Sequence, residues 1–311
     1  MPVNHTRRRP RRAVHGIVLL DKPLGLSSNK ALQVVRGIFG AAKAGHTGSL
    51  DPLATGLLPI CLGEATKIAG LLLGSHKAYE AECQLGVVTN TDDGEGEIIV
   101  RHAVPSLDDA AFREHLDAFV GRIAQVPPAY SALKRDGVPM YVRARRGEAV
   151  ELDAREVEIH RIDPLHREDD RLRLYVECGS GTYIRSLARD LGERIGCGAH
   201  LSGLRRTWVD PFRQPHMWTL DALREKAEQG QQALDACLLP LDAGLEHLPR
   251  LDLDASQGTA MGHGQAVHLA SVGPGLYRAY AADGRLLALA EMGQNGALQV
   301  KRGFNLPQIA E

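Results

Sequence analysis

From Lys77 to Gly86 apolar and polar residues alternate without a break. Tyr79, Ala81, Cys83 and Leu85 take one face, and Glu80, Glu82 and Gln84 take the other. A period of two is that of a β-strand with one face against a core. Val157 to Ile162 and Leu172 to Cys178 repeat the alternation, while Gly16 to Leu20 and Leu57 to Leu62 read as short buried strands. His200 to Thr207 predicts a further strand ending in Arg205-Arg206. Helical spacing appears only in single segments between strands. Leu32, Val35, Ile38 and Phe39 follow a Ser27 or Ser28 cap and stop at Gly40. Ser106-Leu-Asp-Asp caps a helix predicted to run to Gly121, and Glu64 to Leu73 a short one closed by Gly74. Thr182 caps a helix whose stripe is Ile184, Leu187, Ala188, Leu191 and Ile195. Leu220 to Leu241 is helical in pattern. Strands interspersed with single helices point to an α+β fold.

A length of 311 residues suits one large domain, or one large and one small. A hydrophobic content of 44%, with 24% charged residues, is that of an ordinary globular protein, and the net charge of −1 names no partner. The five cysteines are odd in number, widely spaced and without a Cys-x-x-Cys pair, which argues against zinc knuckles and redox motifs and fits a reducing cytoplasm. No apolar run approaches the 18 or so residues of a membrane helix. Residues 1–13 hold Arg7, Arg8, Arg9, Arg11 and Arg12 and read as a basic, disordered tail. The apolar run after it is stopped by Asp21 and Lys22, too early for a signal peptide.

The most informative stretch is Gly45 to Lys67. One acid, Asp51, stands on a small-residue loop, and Pro52 after it biases its backbone toward an extended conformation. Asp-Pro pairs commonly begin turns, so spacing alone leaves Asp51 between a turn residue and an acid presented in a cleft. Thr89 to Gly96, Thr-Asn-Thr-Asp-Asp-Gly-Glu-Gly, is acidic but lacks EF-hand spacing and reads as a solvated hairpin. Pro127 to Gly147 carries Lys134, Arg135, Arg143, Arg145 and Arg146 against one acid, Asp136, with Tyr130 and Tyr141 interleaved. Such charges meet phosphates and such rings stack on bases. Tyr183 and Arg185 fall on the first turn of their helix and are expected to face outward beside a Gly-rich loop, where the helix terminus favours an anion. Beyond Pro249 short alternating runs are separated by glycines, as in a small β-rich domain.

Gly-His-Thr-Gly-Ser-Leu-Asp-Pro-Leu-Ala-Thr-Gly-Leu-Leu closely resembles the signature of the TruB family of tRNA pseudouridine synthases. Asp21-Lys-Pro, Lys77-Ala-Tyr-Glu-Ala, Gly181-Thr-Tyr-Ile-Arg and Leu204-Arg-Arg resemble further family blocks, in order, so that residues 14–248 are covered. The resemblance implies a pseudouridine-synthase catalytic domain over 14–248 on a mixed, largely antiparallel sheet. It also implies an RNA-clamping insertion at about 124–152, and a PUA-like RNA-binding domain over 249–311. It implies isomerisation of uridine 55 in the T-loop of tRNA, with no cofactor and no metal, with the tRNA T-arm as partner, and with neither protein partner nor membrane. Asp51 is then the catalytic residue, and His46 takes the space the turned-out base leaves. Tyr79 stacks on the base, Tyr183 packs beside it, Arg185 pairs with Asp51 and lowers its pKa, and Leu204 contacts the base. Two rivals stand beside this reading: a non-catalytic RNA-binding or tRNA-folding module, and a guide-RNA-dependent pseudouridine synthase. A zinc deaminase would need a Pro-Cys-x-x-Cys signature, which is absent.

Overall fold

The computed structural model describes residues 11–73, 76–130, 134–135, 138–140, 146, 152–269 and 271–307, without side-chain detail at 134–135 and 138–139. The chain opens with β1 (Gly16–Lys22), β2 (Ala44–His46), β3 (Ala54–Leu62) and β4 (Lys77–Leu85). Two ribbons follow, β5 (Val87–Thr89) with β6 (Ile98–Arg101) and, after β7 (Gly121–Gln125), β8 (Lys134–Arg135) with β9 (Val138–Pro139). Then come β10 (Arg155–Glu168), β11 (Arg171–Cys178) and β12 (Ala199–Val209). An 8-stranded sheet runs β1-β3-β12-β4-β11-β10-β7, with β2 on β3. Its pairings are antiparallel except that of β12 with β3.

Helices α1 (Ser28–Ile38), α2 (Asp109–Asp117) and α3 (Ile184–Ile195) belong to this part, followed by α4 (Leu220–Glu228) and α5 (Gln231–Asp235). Ser27 caps α1, as its sequence predicts, by accepting from the Lys30 amide. Helix α3 ends at Gly196, whose φ of 90° suits glycine. One face of the sheet, with Val18, Leu58, Ile60, Ala81, Val176 and Leu201, buries the apolar stripes of α1 and α3 in one core.

A second sheet of β13 (Arg250–Asp252), β14 (Val267–His268), β15 (Gly275–Tyr280), β16 (Leu286–Met292) and β17 (Ala297–Gly303), with α6 (Ala255–Gly262) between β13 and β14, has the order β13-β15-β16-β17-β14. Its Tyr280, Leu286, Leu289 and Phe304 share an apolar cluster with Ile17, Leu57, Cys61 and Ile68 of the first part. Among the described residues no helix is long and apolar enough to cross a membrane.

Several local expectations are revised. Glu64 to Leu73 is not an α-helix: Gly63–Lys67 is a 3₁₀ turn, and bonds from Ile68 to Ala65 and Leu71 to Ile68 keep the three-residue spacing. Gly74 lies outside the described residues. Helix α2 stops at Asp117 because Phe119 and Val120 turn the chain through the same tight bonds into β7. The helical stretch after Leu220 breaks at Gly230, with φ of 115°. Thr182 does not cap α3; its hydroxyl donates to Gly179 O, and Tyr183 takes the cap position. In the basic tail, Arg12 is anchored by Asp235 and by Phe39 O, at 2.7 Å each. Arg7, Arg8 and Arg9 lie outside the described residues.

Candidate functional site

Asp51 stands in the loop between β2 and β3. Its position is fixed from behind by Ser28, the first residue of α1. The buried Ser28 hydroxyl accepts from Leu50 N at 2.7 Å and donates to Leu50 O at 2.9 Å. Ala54 N donates to Asp51 O at 3.0 Å, closing the turn that Pro52 begins. The carboxylate meets Arg185, the second residue of α3, with 3.0 Å between Nη2 and Oδ2.

Arg185 does not face outward. Only 5% of it is exposed. Its Nη1 lies 3.4 Å from Asp93 Oδ2 and donates to Thr91 O at 3.2 Å, and Nη2 also donates to Tyr130 O at 2.9 Å. A buried guanidinium must have its charge and its donors met within the protein. The Thr89–Gly96 turn therefore is not a solvated hairpin. Asp93 is buried, held by Thr91 Oγ1 at 2.6 Å, and Asp92 pairs with Arg189 one turn along α3 at 2.9 Å. Asp92 and Asp93 had no signal in the sequence beyond a cluster of acids; the arginines at 185 and 189, a helical turn apart, were the only hint.

A cleft of about 250 Å³ opens here, lined by Ser49, Leu50, Asp51, Tyr79, Thr182, Tyr183, Ile184, Arg185 and Leu204. Five of the six residues expected at the site, Asp51, Tyr79, Tyr183, Arg185 and Leu204, thus converge on one opening. Leu204 is in register with Ala54 on one side and Ala81 on the other, which sets it in the floor. Tyr183 is held by the buried Gln125 amide, which accepts from Tyr183 N at 2.8 Å and donates to Tyr183 O at 3.1 Å. His46, on β2, is half-buried outside that lining, and its Nδ1 accepts from Gly48 N at 3.4 Å. A larger cavity of about 960 Å³ lies between α6 and the second sheet, remote from Asp51.

One row of cross-strand partners runs beneath the loop. Lys22 on β1 is opposite Gly56 on β3, Gly56 is opposite Arg206 on β12, and Arg206 is opposite Tyr79 on β4. Lys22 and Arg206 are both fully buried. Lys22 Nζ donates to Pro23 O and Leu26 O at 3.0 and 2.6 Å. Its signal in the sequence was the Asp21-Lys-Pro block, whose likeness to a family block gave no sign that the lysine is buried.

Burial pushes the Asp51 carboxyl above the usual carboxylate range. Arg185 pulls it back and Asp93 adds to the rise. The expectation that Arg185 would hold it low is overturned, because crowding by protein and a second acid outweigh one cation. Half of the Asp51 side chain still reaches solvent in the open cleft, which moderates the rise. Burial lowers Lys22 to about 8, against the opposing pull of Asp51 and Glu95. Burial, helped by Arg206, lowers His46 and leaves its ring neutral near pH 7. Burial raises the Tyr79 phenol while the neighbouring Arg206 cation opposes the rise. A carboxylate, two phenols and a leucine around one slot can hold a flat heterocycle against an acid.

Of the basic segment, Lys134 and Arg135 form β8, paired with Val138–Pro139, and Arg146 is exposed in a turn. Arg143 and Arg145 lie outside the described residues.

The chain is 54% identical over 300 residues to tRNA pseudouridine synthase B of Xanthomonas campestris pv. campestris (strain 8004), covering 96% of this chain and 97% of that one. The chain belongs to the TruB family of pseudouridylate synthases. The TruB N-terminal domain matches residues 36–184, the tRNA pseudouridylate synthase B C-terminal domain 185–246, and the tRNA pseudouridine synthase II C-terminal domain 248–301. The Stutzerimonas stutzeri (strain A1501) tRNA pseudouridine synthase B is 50% identical over 95% of this chain and 97% of its own. The crystal structure of a Cbf5-Nop10-Gar1 complex matches at a TM-score of 0.71 and 26% identity, over 95% of this chain and 86% of that one. As a TruB tRNA pseudouridine synthase, the protein is an isomerase acting on uridine in tRNA.

Proposed function

We propose that this TruB enzyme converts uridine 55 in the T-loop of tRNA to pseudouridine, with Asp51 as the catalytic nucleophile or base. The observation that carries the reading is the Asp51–Arg185 pair of 3.0 Å at the floor of a cleft lined by Tyr79, Tyr183 and Leu204. The bond between C1′ and N1 breaks, the base rotates, and C1′ bonds C5. The proton on C5 leaves and N1 gains one, so substrate and product have the same composition and no redox partner is consumed.

Turning the base out of folded RNA costs a few kcal/mol. The neutral ring of His46, in the space left behind, returns part of that through stacking, at about 1–3 kcal/mol per base. In the cleft Tyr79 stacks on the uracil, Tyr183 and Leu204 bound its edges, and Arg185 opposes the rise in the Asp51 pKa and aims the carboxylate at C1′. The segment carrying Lys134, Arg135, Arg143, Arg145 and Arg146 holds phosphates of the T-arm. The second sheet, as a PUA-like domain, adds RNA contact. The enzyme works in the cytoplasm without a protein partner or a guide.

The fold's likeness to Cbf5 in a Nop10-Gar1 complex supports a second reading, a guide-dependent synthase. Purified protein incubated with unmodified tRNA separates the two. Pseudouridine at position 55 without added RNA supports the first, and product only with a guide RNA supports the second.

A further inference from the structure

Of the row Lys22, Gly56, Arg206 and Tyr79, the reaction above employs only Tyr79. Among the described residues Arg206 is one of the largest fully buried side chains. Among the described residues its guanidinium is held by oxygens that carry no formal charge. Nε donates to Leu57 O at 2.7 Å and Nη2 to Gly48 O at 3.3 Å, and Arg206 is the β12 residue directly opposite Tyr79. A cation buried without a carboxylate is costly to fold, and a core made only for packing would place an apolar side chain there.

What Arg206 joins is specific. Gly48 lies in the turn between His46 and Asp51, Leu57 in the strand that leaves that turn, and Tyr79 in the strand on the other side of β12. The guanidinium is planar, with donors in a fixed fork. With its fork on Gly48 and Leu57 and its backbone opposite Tyr79, Arg206 ties together the parts on the two sides of β12. We propose that Arg206 is a positioning residue that holds the Tyr79 ring and the Asp51 loop in one register, so that ring and carboxylate address the same nucleotide. The proposal rests on the reading of the cleft as the pseudouridine site. It accounts for the absence of a carboxylate partner: charge left unneutralised beside the Tyr79 oxygen favours negative charge there. The opposition of Arg206 to the rise in the Tyr79 pKa agrees with this. Arg206 also helps to keep His46 uncharged. Gly56 makes the arrangement possible, since a Cβ there would come within 2.2 Å of Arg206 O.

The test uses the full-length protein and unmodified T-arm RNA. Wild type is assayed first, and a failure to form pseudouridine there rejects the reading of the cleft, not the role of Arg206. Arg206→Lys and Arg206→Gln are then compared in single-turnover rate, RNA dissociation constant and the resonance of ¹³C-labelled Tyr79, assigned with Tyr79→Phe. The expected result is a rate lowered about 100-fold, the cost of a misplacement of roughly 1 Å, with RNA affinity retained and the Tyr79 resonance moved. An unchanged rate, a loss explained by weaker binding, or an unmoved Tyr79 resonance overturns the proposal. If neither variant folds, Arg206 serves stability rather than positioning, and the proposal is likewise overturned.

Discussion

Asp51 and Arg185 face each other across one cleft at 3.0 Å, the acid on the loop between β2 and β3 and the cation on the first turn of α3. The same guanidinium reaches Asp93 at 3.4 Å, so one buried cation is shared by two acids. Asp51 is thereby supplied with a partner that cannot swing away, because its other donors are already engaged by Thr91 O and Tyr130 O.

Asp93→Asn removes half of that arrangement. Arg185 then loses a charged anchor, and the single-turnover rate should fall about 10- to 100-fold through loss of alignment. Asp93 also raises the Asp51 pKa. The acid limb of the rate profile should therefore move to lower pH in Asp93→Asn, and a limb that stays in place contradicts the coupling.

The wild-type profile carries its own prediction. Asp51 acts ionised, and burial raises its carboxyl above its ordinary value. Protonation therefore removes activity as pH falls through that raised pKa, so the acid limb should lie above about pH 4, the range of an unperturbed aspartate. Single-turnover rates from pH 4 to 8 measure it.

Gly56→Ala should unfold or cripple the protein. Its φ of 91° resists a side chain, and the added Cβ would meet Arg206 O at 2.2 Å, backbone that cannot step aside. A loss of roughly 3 kcal/mol or more in urea unfolding is expected.

Lys22 gives a signed dependence of stability on pH. Its folded pKa of about 8 lies below the ordinary lysine value of 10.5. Between those values the unfolded chain holds a proton that the folded protein does not, so stability from this group rises with pH across the window. Below it both states are protonated and the cost of burying the charge is constant. Wild type should therefore gain on Lys22→Met between pH 8 and 10, by at most on the order of 3 kcal/mol. Urea unfolding of both proteins at three pH values checks it.

Much of this was legible in the residues. The alternation at Lys77–Leu85 and the spacing of Leu32, Val35 and Phe39 are local consequences of burial on one face, and local rules recover them. The signature around Asp51 marked the cleft. What was not legible depends on partners distant in the chain. Arg185 lies off the apolar stripe of α3, and periodicity alone sends such a residue to solvent. It points inward because Asp51, Asp93 and two carbonyls wait for it. Asp93 looked solvated for the same reason. The sign of the Asp51 pKa shift depended on how tightly other atoms surround it, which no pair of residue names reveals.

The most direct test is position-resolved pseudouridine mapping on unmodified tRNA treated with wild type or Asp51→Asn, alongside RNA binding. The account predicts pseudouridine at position 55 with wild type. It predicts a loss of about a thousandfold or more in Asp51→Asn, on the scale of removing a nucleophile, with binding retained. Product at that position from Asp51→Asn at a wild-type rate would contradict it.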